Sequence, residues 1–391
     1  PAPLALVTRP PAGAYHPGSS RLQAWLLCGG PRGLAGPLSK APLARRPFER
    51  STHQACETER LLMTPPLTPP TLADLLAAQR RIAPFVVETP LLRADALDQA
   101  TGARVFVKAE SLQRFGAFKA RGAANAIALL TPEERARGIV AFSSGNHAAA
   151  VAGQAKAMGA HAIIVMPSDA PAAKIANTKA LGAEIVLYDR VREDREAIAR
   201  GIAAEAGRPV IPPFDHPHVI AGQGTAGLEI AEQLGRQGLK ADAALVCASG
   251  GGLVAGIAIA MQAAAPETQV YAVEPAGHDD FARSLAAGNR VPNAPGIRSI
   301  CDALMSEKPG VLPFAVAQER GLGALAVTDD EVRHAMRFAF RHLRLVLEPG
   351  GAAALAALLA GKADVKGRVV AVVASGGNVD EALFADVLGG A

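Results

Sequence analysis

Short apolar runs that alternate with segments of helical periodicity are the feature that most restricts the fold of this sequence. The runs have the length of strands and lie at 105–109, 139–143, 162–166, 184–188, 209–211, 243–248, 269–274 and 368–374. Strands that are separated by helices pair in parallel through right-handed crossovers. The pattern therefore predicts an α/β fold with two open, twisted, mostly parallel sheets and flanking helices.

The first 62 residues differ from the rest of the chain. They are rich in proline and carry eight Lys and Arg against three Glu, so we expect residues 1–62 to be disordered or a non-native extension. Met63 is then the expected natural start, and a basic targeting peptide is the alternative. Order is predicted to begin at Thr71, where Asp74 completes a capping box.

Charge and cysteine usage exclude several classes of protein. The net charge is +4, but beyond residue 62 the basic and acidic residues nearly cancel, which argues against a nucleic-acid partner. The four cysteines lie far apart with no CxxC pair, which argues against a disulfide scaffold or a zinc site. This usage suits a reducing compartment, so we expect a cytoplasmic protein. No apolar run approaches the length of a membrane span, so no membrane partner is expected.

Lys119 is the first candidate for chemistry. It lies in the stretch Gly116-Ala117-Phe118-Lys119-Ala120, among small residues and one aromatic, where a helix is predicted to begin. Apolar walls and the positive start of a helix lower the proton affinity of an amine, which makes it a usable nucleophile and base. The alternative is an ordinary solvated lysine.

Three further motifs each follow a predicted strand. Ala248-Ser249-Gly250-Gly251-Gly252-Leu253 has the small residues and the helix start of a phosphate-binding turn, although a merely tight turn is the alternative. Ser143-Ser144-Gly145-Asn146-His147 is suited to hold a carboxylate or simply to cap a helix. Ser375, in Ala374-Ser375-Gly376-Gly377-Asn378, offers an uncharged hydroxyl at the sheet edge where α/β proteins bind ligands, or is a turn residue.

Together these motifs resemble those of the fold type II pyridoxal-phosphate (PLP) enzymes, which are tryptophan synthase β-like. The similarity is to the branch of serine/threonine dehydratases and serine racemases, and it runs from about Thr71 to the C-terminus. It includes Thr89-Pro90-Leu91 and Ala221-Gly222-Gln223-Gly224-Thr225, in the expected order along the chain. A homodimer is expected by the same resemblance.

The resemblance implies a role for each motif. Phe118 and Lys119 match the Schiff-base lysine stretch, Asn146 would bond the ring hydroxyl of PLP, and Ser375 would bond its pyridine nitrogen. The phosphate would be bound by the loop residues Ser249, Gly250, Gly251, Gly252 and Leu253. Ser249 departs from the family, which commonly has a fourth glycine there, so its hydroxyl is expected either to add a phosphate contact or to perturb the loop.

The implied activity is α,β-elimination from a small hydroxyamino acid, converting L-threonine and L-serine to 2-oxobutyrate and pyruvate with release of ammonia. Lys119 would remove the α-proton, and the substrate carboxylate would be positioned by Ser143, Gly145 and His147. Ser144 matches a serine that, in the racemases of this family, can reprotonate the opposite side, so a serine racemase is an alternative. A β-replacement synthase and a non-catalytic PLP carrier are the competing classes.

Two more sites are implied by resemblance. Arg195 matches an arginine that can reach a second substrate carboxylate, which adds threo-3-hydroxyaspartate to the substrates. Glu274, the carbonyl of His278, and Asp280 match a Mg²⁺ or Ca²⁺ site, whereas the residues alone favour a solvated acidic turn. A large PLP-binding domain is predicted at 63–137 plus 216–391, with a small substrate-closing domain at 138–215.

Overall fold

The computed structural model describes residues 67–390, so the predictions for residues 1–62 lie outside the described residues. The strands are β1 (Leu91–Leu92), β2 (Arg104–Ala109), β3 (Ile139–Phe142), β4 (Ala162–Pro167), β5 (Glu184–Tyr188), β6 (Ala243–Cys247), β7 (Gln269–Pro275), β8 (Gly323–Val327) and β9 (Val369–Ala374). The helices of the first half are α1 (Leu72–Ile82), α2 (Asp95–Thr101), α3 (Lys119–Ala128), α4 (Pro132–Arg137), α5 (Asn146–Ala157), α6 (Ala172–Ala180) and α7 (Arg195–Ala206). Those of the second half are α8 (Pro217–Gly235), α9 (Gly252–Ala264), α10 (Asp280–Ala287), α11 (Val311–Glu319), α12 (Asp329–Phe338), α13 (Pro349–Leu359) and α14 (Glu381–Gly389).

The strands form two sheets, as the alternating pattern predicts. The larger sheet has the order β1-β2-β9-β6-β7-β8, and the smaller has the order β3-β4-β5. All neighbouring strands pair in parallel except β1 and β2. The expected α/β fold with mostly parallel sheets is confirmed.

Helices cover both faces of the larger sheet. Val105 and Val107 of β2 point into a core shared with α13, while Phe106 between them points into the core shared with α9. In the smaller sheet, Ile139 and Ile164 pack in the same core as Ala123 of α3. The helix that starts at Lys119 is therefore anchored on the smaller sheet as well as on α8.

Two local differences from the predicted elements have clear causes. The run at 209–211 forms no full strand and only a bridge from Val210 to Val140, because Pro209 and the prolines that follow lack the N–H groups of a ladder. The helix expected at 225–237 begins earlier, at Pro217. It accommodates Gly224 because that residue lies against Gly256 of α9, where a Cβ atom would come within 2.9 Å of the neighbouring backbone.

The capping box of Thr71 and Asp74 is present, and α1 begins at Leu72. Across residues 67–390, no helix combines the length and the apolar character needed to cross a bilayer.

Candidate active site

One cavity of about 180 Å³ lies where the carboxyl ends of β3, β6 and β9 meet the start of α3. Every residue predicted to bind cofactor or substrate lines it: Phe118, Lys119, Ser143, Ser144, Gly145, Asn146, His147, Arg195, Ser249, Gly250, Gly251, Gly252, Leu253 and Ser375. Their individual contacts with ligand stay predictions. The fold nevertheless gathers segments from across the chain around a single space.

Lys119 is the first residue of α3 and has no acidic partner among the described residues. Its Nζ donates a hydrogen bond to the carbonyl oxygen of Pro213 at 2.7 Å and lies 4.9 Å from the centre of the Phe118 ring. Burial lowers the pKa of the Lys119 ammonium from 10.5 to about 8. A sizeable fraction of the amine is therefore neutral, and so nucleophilic, at slightly alkaline pH.

The helix that carries Lys119 is fixed by a buried network of charges around Arg121. The Arg121 guanidinium donates to both carboxylate oxygens of Glu110, at 2.8 and 2.7 Å, and to both of Glu229, at 2.6 and 2.8 Å. Lys108 donates to the same Glu229 at 2.6 Å. Two cations and two anions balance, which makes their burial tolerable and holds the first turn of α3 against β2 and α8.

The glycine loop leaves no room for larger side chains. A Cβ atom on Gly250 would lie 2.3 Å from the ring of Phe214, and one on Gly251, where φ is +91°, would lie 2.2 Å from the ring of Phe281. Among the described residues no side chain caps the start of helix α9 at Gly252, so the N–H groups of its first turn can face an anion.

The Ser143–His147 stretch also leads into an uncapped helix, since no side chain caps α5 at Gly145. The ring of His147 is buried, and its Nε2 lies 2.9 Å from the carbonyl oxygen of Ile211. A carbonyl only accepts, so Nε2 carries the proton, and the buried Nδ1, which has no hydrogen-bond partner among the described residues, is an acceptor. Burial and the nearby Lys119 lower the pKa of His147 to about 3, so the ring is neutral. We therefore expect the backbone N–H of His147, rather than its ring, to face a substrate carboxylate.

Glu348 is a site residue that the sequence did not reveal. It is buried at the start of α13, and its Oε1 accepts a hydrogen bond from Nδ2 of Asn146 at 2.5 Å. The Oδ1 of Asn146 accepts from Asn378 at 2.8 Å, and Asn378 also donates to the carbonyl of Phe115. Both ends of the Asn146 amide are thus held. Burial raises the pKa of Glu348 from 4.5 to about 7.

A second pair that the sequence did not reveal lies on the cavity wall. Lys174 of α6 donates to the Asp302 carboxylate at 2.7 Å, and both residues line the cavity. Arg195 also lines the cavity, with its guanidinium 5.8 Å from the centre of the Phe142 ring. Lys174 and Arg195 thus place two cationic groups on the lining of the cavity.

Glu274 and Asp280 are brought together away from the cavity, and both are fully buried. Glu274 accepts from the N–H of Phe281 at 3.1 and 3.0 Å, while Oδ1 of Asp280 accepts from Asn293 at 2.6 Å. Oδ2 of Asp280 has no hydrogen-bond partner among the described residues. Burial raises the pKa of both carboxyls, that of Asp280 to about 6.

Within residues 67–390, no group of three or more His, Cys, Asp and Glu side chains is suited to hold a metal ion. A cation beside Glu274 and Asp280 would therefore need backbone oxygens or water as well. The orphaned Oδ2 of Asp280 fits such a cation.

Residues 82–376 match the family described as pyridoxal-phosphate dependent enzyme. The chain belongs to this family of PLP enzymes. It is 42% identical over 322 residues to the L-threo-3-hydroxyaspartate ammonia-lyase of Saccharomyces cerevisiae, covering 82% of this chain and 97% of the relative. It is 40% identical over 326 residues to a serine racemase of Schizosaccharomyces pombe, covering 83% and 99%.

A solved structure, that of a threonine deaminase from T.th., matches with a TM-score of 0.75 and 44% identity, covering 80% of this chain and 99% of that one. The resemblance to fold type II PLP enzymes is confirmed, and the protein is an enzyme with PLP as its cofactor.

The cavity of this PLP enzyme fits the cofactor. When bound, PLP supplies an aldehyde that condenses with amino groups and a ring that accepts electrons. Lys119 offers the amine, the free N–H groups of the glycine loop suit the phosphate, and the Ser375 hydroxyl stands at the carboxyl end of β9. Asn146, held by Glu348 and Asn378, would bond the ring hydroxyl.

Proposed function

We propose that this PLP enzyme is an ammonia-lyase that converts L-threonine and L-serine to 2-oxobutyrate and pyruvate. The amine of Lys119 takes the α-proton, the β-hydroxyl leaves as water, and hydrolysis of the resulting imine releases ammonia and the 2-oxo acid. The observation that carries the proposal is the Lys119 amine, whose pKa falls to about 8 in the same cavity as the Ser375 hydroxyl. A neutral hydroxyl beside the ring nitrogen favours prompt loss of a leaving group over a long-lived carbanion.

Ser144 bears on the choice between elimination and racemisation. It lines the cavity, but no residue within 67–390 hydrogen-bonds its hydroxyl. A serine acts as an acid or base only when a neighbouring group activates it. We therefore propose elimination as the main reaction and racemisation of serine as a side reaction.

A second candidate substrate is threo-3-hydroxyaspartate. Lys174 and Arg195 both line the cavity, and as cations they suit a second carboxylate. The relative from Saccharomyces cerevisiae is named for this substrate. The hydrogen bond from Lys174 to Asp302 also joins the proposed small domain (138–215) to the large one, which supports closure of the small domain over substrate.

We further propose that Glu274, Asp280 and the carbonyl of His278 hold Mg²⁺ or Ca²⁺. The buried Oδ2 of Asp280, which lacks a partner among the described residues, supports this site. We also propose that the enzyme is a homodimer and that it is located in the cytoplasm. Sedimentation of the purified enzyme tests the oligomeric state.

Purified, PLP-loaded enzyme is given L-serine, L-threonine and threo-3-hydroxyaspartate separately, and 2-oxo acid and D-serine are measured in the same samples. We expect 2-oxo acid from serine and threonine to exceed D-serine, and Lys119→Ala to abolish both products. D-serine that outpaces pyruvate would make the enzyme a racemase, and the absence of every product would overturn the proposal.

Variants of Lys174 and Arg195 test whether the enzyme prefers a substrate with a second carboxylate. We expect Lys174→Met and Arg195→Ala to raise KM for threo-3-hydroxyaspartate more than for threonine. Arg200→Ala is the matched control, because Arg200 lies on the same helix as Arg195 but pairs with Glu196 at the surface. Equal increases in KM for both substrates would show that Lys174 and Arg195 do not bind a second substrate carboxylate.

A further inference from the structure

The serine at the start of the glycine loop has a partner outside the loop. Oγ of Ser249 donates to Oγ of Ser306 at 2.7 Å and accepts from the N–H of Ser306 at 3.1 Å. One small hydroxyl thus makes two hydrogen bonds to a single residue 57 positions later in the chain. A glycine, which relatives commonly have here, makes neither of them.

Ser306 belongs to a stretch that forms one wall of the cavity. Asp302 and Ser306 both line the cavity, and Asp302 accepts a hydrogen bond from Lys174. Between the end of α10 and the start of α11, all of which the structure describes, the only helix or strand is a single 3₁₀ turn, Asp302–Leu304. Cys301 and Leu304 of this stretch pack in the core of the larger sheet, and Ser306 is held by hydrogen bonds on two sides.

The hydrogen bonds of Ser306 link it to two other segments of the chain. Ser249 holds Ser306 from the loop side, and Asn293 donates to the Ser306 carbonyl at 2.8 Å from the other side. Further along, the N–H of Gly310 donates to the carbonyl of Gly250 at 2.9 Å. The wall is thus tied to the glycine loop at two adjacent residues, Ser249 and Gly250.

We propose that the Ser249 hydroxyl is a positioning group for the substrate wall at 302–306 and that it makes no contact with the cofactor phosphate. The phosphate is left to the N–H groups of the loop and of the start of α9. Both hydrogen bonds of the Ser249 hydroxyl are directed to Ser306, and Ser306 itself lines the cavity. This inference rests on the proposed function for its substrate, but not for its structural readout.

The proposal separates cofactor binding from substrate binding, so two measurements on the same variants test it. Ser249→Ala removes the hydroxyl, Ser249→Gly restores the residue common in relatives, and Ser249→Thr keeps the hydroxyl. Hydrogen–deuterium exchange of the peptide that contains Ser306 reports on the wall, and titration with PLP reports on the phosphate site. Ser168→Ala is the matched control, because Ser168 is exposed and does not line the cavity.

We expect Ser249→Ala and Ser249→Gly to speed amide exchange at Ser306 by about fivefold, the factor for losing one ordinary hydrogen bond. The Kd for PLP should change by less than about twofold, and KM for the hydroxyamino acid should rise. Ser249→Thr should resemble the natural enzyme. Ser306→Ala, which removes one bond from the opposite side, should raise KM in the same direction and serves if the Ser249 variants do not fold.

Weaker PLP binding with unchanged exchange at Ser306 would identify the hydroxyl as a phosphate ligand and overturn the proposal. No change in either measurement would also overturn it. If no hydroxyamino acid is turned over, the proposed function fails, yet exchange and PLP titration still decide the role of Ser249.

Discussion

Asn146 and Glu348, which are 202 positions apart in the chain, share a 2.5 Å hydrogen bond in which the amide nitrogen donates to the carboxyl oxygen. The bond joins the start of α5, beside the smaller sheet, to the start of α13 under the larger sheet. Gly376 also packs closely against Glu348, since a Cβ atom on Gly376 would lie 2.2 Å from Oε1 of Glu348. A buried carboxyl is therefore built into the place where the cofactor ring is expected.

Glu348 should make the stability of the enzyme depend on pH. Burial raises the pKa of Glu348 from 4.5 to about 7, while Asp302 raises it further and both Asn146 and Lys174 lower it. The folded state then binds more protons than the unfolded state between these values. Stability should fall as pH rises through this interval, by up to about 1.4 kcal/mol per pH unit.

Glu348→Gln should remove that dependence, since glutamine still accepts the bond from Asn146. We expect the free energy of unfolding of the variant, relative to that of the natural enzyme, to increase as pH rises from about 5 to about 7.5. Urea unfolding at several pH values measures this. Glu205→Gln, at an exposed carboxyl, is the control, and parallel pH profiles for Glu348→Gln and the natural enzyme would contradict the prediction.

Removing one charge from the buried network around Arg121 should destabilise the folded enzyme. Glu229 accepts from both Arg121 and Lys108, so Glu229→Gln leaves two buried cations with the single carboxylate of Glu110. We expect a loss of about 3–5 kcal/mol in the free energy of unfolding. Urea unfolding of the PLP-loaded enzyme provides the measurement.

The control for this pair is Glu196→Gln, which breaks the exposed ion pair with Arg200 on α7. It should cost less than about 0.5 kcal/mol. Similar losses in the two variants would mean that the buried network contributes no more than a surface pair.

Gly251→Ala should damage the cofactor site more than its backbone strain alone explains. Its φ of +91° is strained for any other residue, and its Cβ would overlap the Phe281 ring at 2.2 Å. Gly238→Ala is the matched control, because Gly238 has a φ of +70° and open space around its Cβ position. We expect Gly238→Ala to cost about 1–2 kcal/mol of stability with PLP affinity unchanged, and Gly251→Ala to weaken PLP binding by at least about tenfold. Equal PLP affinity in both variants would contradict this.

The sequence predicts those parts of the site that consist of residues close together in the chain. Lys119, the glycine loop and Ser375 each lie at a strand end or helix start that periodicity locates. Glu348 and Ser306 are different, because each acts through a partner far away in the chain, Asn146 and Ser249 respectively. A single sequence carries no signal for such pairs.

The same limit applies to the start of α11 at Val311, where the N-cap residue Gly310 offers no side-chain cap. Its free N–H groups are capped by Asp215, which accepts from Val311 at 2.7 Å and from Leu312 at 2.9 Å. The cap comes from 96 residues upstream, so no local capping signal precedes the helix.

The proposed cation site should respond directly to Mg²⁺ or Ca²⁺. Asn293 donates both to Asp280, at 2.6 Å, and to the carbonyl of Ser306, at 2.8 Å, so a cation at Asp280 is one side chain away from the cavity wall. Binding only to the folded enzyme would stabilise it by about 2.7 kcal/mol at a hundredfold excess over Kd. We expect either ion to raise Tm and activity after treatment with a chelator, and Asp280→Asn to abolish both effects.

Glu267→Gln is the control for the cation, because Glu267 is an exposed carboxyl on the surface. It should leave the response to Mg²⁺ intact. An enzyme that keeps full activity and an unchanged Tm through prolonged chelation would contradict the site. In that case Glu274 and Asp280 would be a buried carboxyl pair that shares a proton, because two adjacent carboxylates without a cation cannot both stay ionised out of water.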